Sequence, residues 1–82
     1  MKISEIKSGE IFCIGGTKSY PKLKLDVGYV DMRDEIRKDD ESTMNNFDCR
    51  LMTNEEVETE FKKYGMSMDD VKEIKEYYLI RR

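Results

Sequence analysis

A small α+β domain is the fold this sequence predicts: an antiparallel sheet of about four strands followed by one or two C-terminal helices. Three observations predict it. The chain has 82 residues, the length of one domain. Its first third carries short β-branched, aromatic or strictly alternating runs separated by glycines. Its last third carries helix-start signals followed by apolar residues at helical spacing.

Ile3 and Ile6, three residues apart, predict a short lead-in turn packed on the core, broken at Ser8-Gly9. Glu10-Ile11-Phe12-Cys13-Ile14 predicts a first strand, about 10–15, stopped by Gly15-Gly16, and Gly16-Thr17-Lys18-Ser19 is turn chemistry. Pro21 suits the start of a second strand, about 20–27. Within it Leu23, Leu25 and Val27 alternate with Lys22, Lys24 and Asp26, which predicts apolar residues inward and lysines outward. Gly28 marks a turn, and the run 29–33 alternates again with Val30 and Met32 inward. Short loops between these runs favour an antiparallel meander, for which an SH3-like barrel is one form of closure.

Residues 34–46 are acidic and nearly devoid of apolar side chains, which predicts a long exposed loop with one helical turn near Glu35–Lys38. Phe47, Cys49 and Leu51 alternate in a fourth strand, about 47–52, that pairs back onto the meander. Thr53-Asn54-Glu55-Glu56 is a capping box opening a helix over about 54–64, with Val57, Phe61 and Tyr64 on one face and Gly65 as its stop. Ser67-Met68-Asp69-Asp70 opens a second helix over about 68–78, with Val71, Ile74 and Tyr78 on one face. The β propensity of Tyr77-Tyr78-Leu79-Ile80 leaves a terminal strand as the competing reading.

Charged residues make up 40% of the chain, which raises disorder as an alternative, but the periodic apolar residues argue for a packed core. The net charge of −3 is unevenly placed. Residues 1–25 hold five lysines against two glutamates, and residues 26–48 hold eight acids against three bases. An acidic chain argues against direct nucleic-acid binding and for a partner protein with a basic surface. The absence of an apolar N-terminal stretch and of a long apolar run predicts a cytoplasmic protein, with no membrane association and with Cys13 and Cys49 reduced.

Chemistry-bearing constellations are sparse. Asp31, Asp34 and Glu35 ahead of Arg37 only approach the acid-rich pattern of a metal-dependent nuclease, because Arg is a poor proton-transfer group. Asp39-Asp40-Glu41 lacks the alternating ligands and central glycine of a calcium loop. Gly15 to Ser19 lacks phosphate-loop spacing. Without histidine, a Cys-His or Ser-His pair cannot be built. No cofactor is expected, and the chain is predicted to be a binding protein and not an enzyme. The partner-binding candidates are Tyr29, Asp31, Asp34, Glu35, Asp39, Asp40 and Glu41, with Tyr29 as an aromatic anchor. A second candidate set, Lys18, Tyr20, Lys22 and Lys24, would hold a nucleotide if the chain sequesters a small ligand. A structural or assembly subunit is the third possibility.

Gly9-Glu10-Ile11-Phe12, Tyr20-Pro21-Lys22-Leu23-Lys24 and Gly28-Tyr29-Val30-Asp31-Met32-Arg33-Asp34 together resemble small accessory proteins of bacteriophages and prophages. The resemblance covers residues 1–36 and carries no catalytic residues. It implies a viral origin and an inhibitor of a host protein, such as a CRISPR-type defence nuclease.

Overall fold

The computed structural model describes residues 1–15, 20–42 and 44–80. Five strands, β1 (Ile11–Ile14), β2 (Lys22–Lys24), β3 (Tyr29–Asp31), β4 (Ile36–Lys38) and β5 (Cys49–Leu51), precede helices α1 (Asn54–Lys63) and α2 (Met68–Leu79). The sheet is antiparallel throughout, in the order β4-β3-β2-β1-β5. It is an α+β fold, as the sequence predicts, but the sheet is open and not an SH3-like barrel. Its strands are only three or four residues long, too short to coil the sheet through the tilt that closure requires.

The register defines two layers. Ile11, Leu23, Val30 and Met32 face the helices and pack with Val57, Phe61, Val71 and Ile74. The opposite face carries Phe12, Tyr29 and Cys49, covered by Ile3, Ile6 and Met44. Ile3 and Met44 lie in short 3₁₀ turns at Ile3–Glu5 and Met44–Asn46, and Ile6 caps the first of them. The predicted lead-in turn is therefore present. Because both faces are covered, alternation does not separate inside from outside here. Lys22 and Lys24, expected outward, are buried at 9% and 7% exposure.

The second strand stops at Lys24 instead of running to residue 27. The Leu25 N–H donates to the Gly28 carbonyl at 3.0 Å, the chain reverses, and Val27 stands exposed at the turn. Gly28 has φ +76°, and a Cβ there would lie 1.9 Å from the Lys38 carbonyl oxygen, so β3 and β4 pass where only glycine fits. The acidic loop contains β4 where the sequence predicts a helical turn near Glu35–Lys38, and a 3₁₀ turn lies further on, at Met44–Asn46. All three β4 residues are exposed, so periodicity had nothing to detect.

Both helices start at complete capping boxes, Thr53 with Glu56 and Ser67 with Asp70. α2 continues through Leu79, which settles the end of the chain as helix up to that residue. Tyr78 and Leu79 pack on the helix-side core, and that burial outweighs their β propensity. Tyr64 follows α1 and is 36% exposed, outside the buried core. In the expected fourth strand only Cys49 is buried, whereas Phe47 and Leu51 are each 41% exposed. That strand is a sheet edge, and Phe47 precedes it in a turn.

Candidate functional site

The two sets of candidate residues prove to be partners of each other. The Lys24 ammonium lies 3.0 Å from the Glu41 carboxylate and 2.7 Å from the Leu25 carbonyl. The same Glu41 carboxylate accepts the Gly28 N–H at 3.1 Å. Lys22 lies 4.0 Å from Asp31 and donates to the Tyr20 carbonyl at 3.1 Å. Basic and acidic residues thus neutralise each other on the second face of the sheet. A buried ammonium is tolerated only with such compensation. Lys22 and Lys24 are accordingly committed to the fold, and Lys18 lies outside the described residues.

Tyr29 is not an exposed anchor. It is buried on the second face, edge-on to Phe12 at 6.1 Å, and burial pushes its hydroxyl pKa up. Asp34, Glu35, Asp39 and Asp40 are exposed as expected. They do not form one uncompensated acidic face, because Asp34 pairs with Arg33 and Asp39 with Arg37. Asp40 closes a turn by accepting the Ser42 N–H, which holds its carboxyl below the usual range.

Glu35 stands apart. It closes the β3–β4 turn, directly before β4, with φ +53°, a conformation uncommon for a side chain of this kind. Its carbonyl accepts the Tyr78 hydroxyl at 3.1 Å, which ties the turn to α2. The tie creates a groove of about 520 Å³ lined by Glu35, Asp70, Glu73 and Glu76 around Met66, Ile74 and Tyr77. No lysine or arginine is in this lining, among the described residues. Tyr77, 60% exposed and edge-on to Tyr78 at 4.9 Å, gives the groove an accessible aromatic ring. Asp70 also serves the Ser67 cap. Asp70, Glu73 and Tyr77 are not among the partner-binding candidates that the sequence offers. Their i, i+3 and i+7 spacing places Asp70, Glu73 and Tyr77 on one side, but only the fold brings Glu35 against them.

Among the described residues no three acidic or thiol groups converge as a metal set. Cys13 and Cys49 are free and buried, and burial pushes both thiols up, away from the nucleophilic thiolate. No described helix is long and apolar enough to cross a membrane.

Comparison with protein-family models, with curated proteins and with solved structures gives no match.

Proposed function

We propose that this chain is a non-enzymatic binding protein that covers a basic surface of another protein, as a phage-encoded inhibitor of a bacterial host protein such as a defence nuclease. The observation that carries the binding reading is the groove at the β3–β4 turn: Glu35, Asp70 and Glu73 beside an exposed tyrosine, with no lysine or arginine in the lining among the described residues. A lysine or arginine from a partner would meet carboxylates for its charge and the Tyr77 ring for its stem or plane. Charge steers the encounter, while Met66, Ile74 and Tyr77 supply the apolar contact that affinity needs. The viral and inhibitory part rests on the resemblance of residues 1–36. Nucleotide sequestration is the weaker reading, because Lys22 and Lys24 are buried against Asp31 and Glu41.

The test is affinity capture from bacterial lysate at low and high salt, with identification of the captured protein and re-binding of the purified pair. Glu35→Asn is the informative variant, since asparagine accepts a positive φ while removing the carboxylate charge and one methylene. Salt-sensitive binding lost in Glu35→Asn and Glu73→Lys, at unchanged melting temperature, supports the proposal. A complex indifferent to both substitutions refutes it.

A further inference from the structure

The two faces of the sheet are covered unequally. The helix side lies under α1 and α2, whereas the second face lies under two 3₁₀ turns of three residues each. The Met44–Asn46 turn is fastened firmly. The Met44 and Asn45 N–H groups donate to the Glu41 carbonyl at 2.9 and 3.2 Å, and the Glu41 carboxylate holds Lys24 and the Gly28 N–H.

The N-terminal segment is held more lightly. Of residues 1–8 only Ile3 and Ile6 are buried, and both belong to the second-face cluster. Its backbone ties to the sheet lie at its two ends. The Cys49 N–H donates to the Met1 carbonyl at 2.7 Å, and the Gly9 N–H donates to the Lys24 carbonyl at 2.8 Å. The Met1 ammonium adds the Cys49 carbonyl at 2.9 Å and the Asp48 carboxylate, but Asp48 is 86% exposed and such a pair is worth little. The Lys2 ammonium donates to the Asn45 carbonyl at 2.9 Å, also in contact with water. Between the ends the segment bonds to itself: Glu5 N–H to the Lys2 carbonyl at 3.0 Å and Ile6 N–H to the Ile3 carbonyl at 3.1 Å. Those bonds survive if the segment moves as one piece. At its inner end Lys7 and Ser8 are exposed, and Gly9 has φ +93°, a conformation that glycine adopts freely. The Gly9 bond to Lys24 fixes the pivot on β2.

We propose that residues 1–8 form a lid that swings about Gly9 while the sheet and helices stay folded. A segment with two buried anchors and solvent-exposed ties opens at a lower cost than the whole domain. Burial of the two isoleucines keeps the open fraction at ~1% or less. Closed, the lid hides the edge-on rings of Phe12 and Tyr29 and the Cys49 thiol. Open, it presents them together as an apolar surface.

The test is labelling of Cys49 by an aromatic disulfide reagent in a Cys13→Ala chain, where Cys49 is the single thiol. Rates are read where they are proportional to reagent concentration, so that they report the open population. The expected rate is ~100-fold or more below that of the urea-unfolded chain, and nearly independent of urea until the global transition begins. Ile3→Val should speed it about fivefold, equivalent to ~1 kcal/mol. Ile74→Val, the same truncation in the helix-side core, should leave it unchanged, because closing the lid does not use that core. In the unmodified chain the Cys49 amide, released from Met1 when the lid opens, should exchange its hydrogen ahead of the amides of β2 and β3.

Labelling that follows the urea dependence of global unfolding throughout would overturn the proposal. So would equal acceleration by Ile3→Val and Ile74→Val, which marks unfolding of the whole domain. No acceleration by Ile3→Val would place the opening elsewhere and overturn it as well. If the Cys13→Ala chain does not fold, the amide measurement decides: exchange of the Cys49 amide only together with β2 and β3 refutes a separate lid.

Discussion

Replacing Glu41 by alanine strips the partner from an ammonium whose side chain is only 8% exposed. Breaking a fully buried ion pair from one side costs about 3–5 kcal/mol. Here the Glu41 side chain is 25% exposed, and Lys24 keeps its 2.7 Å bond to the Leu25 carbonyl. Water entering along the Glu41 side lowers the expected loss from the pair to about 2 kcal/mol. The Gly28 N–H also loses its 3.1 Å acceptor, which adds about 1 kcal/mol. The total of about 3 kcal/mol is a large part of what a domain of this size holds, on the order of 4–12 kcal/mol. In urea, with a slope of about 1 kcal/mol per molar, the midpoint should fall by about 3 M. Pairing Glu41→Leu with Lys24→Met should recover most of the loss, since an apolar pair of similar volume replaces the ions. Wild type, Glu41→Leu, Lys24→Met and the double variant form a mutant cycle. A loss below about 0.5 kcal/mol for Glu41→Ala, or a double variant that loses the sum of both singles, would refute the reasoning.

Gly28→Ala should prevent folding or cost more than about 3 kcal/mol, because its Cβ would collide with the Lys38 carbonyl. Gly65→Ala, with φ +72° but open space around it, should cost only about 1 kcal/mol; paired thermal melts decide between them. The Glu56 carboxyl is held below its ordinary value of 4.5 first by the Thr53 N–H and then by Arg50. Its contribution to stability is present above the unfolded value and is lost as pH falls through the lower folded one, so Glu56→Gln should flatten the stability profile below about pH 4.5. Both thiols, pushed up by burial, should resist a disulfide reagent at neutral pH in the native state and react rapidly in urea. Fast labelling of either cysteine in the folded protein would contradict its burial.

Local chemistry was legible in the residues themselves. Thr53 with Glu56 and Ser67 with Asp70 announce both helices, because a capping box is satisfied within four residues. The run Ile11 to Ile14 announces a strand by its side-chain shapes alone. β4 was hidden because an edge strand with no buried residue has no apolar period, and the turn that creates it rests on the conformation of Glu35. The outward reading of Lys22 and Lys24 failed because alternation reports that a strand has two faces, not that one of them is wet. Only the tertiary structure brought Met44 onto the second face, turned Glu41 onto Lys24, and set Glu35 beside Glu73 and Tyr77. Capping and propensity act between neighbours in the chain. Pairing of Lys24 with Glu41, and the approach of Glu35 to Glu73, depend on which surfaces the hydrophobic layers bring together, and no local pattern encodes that.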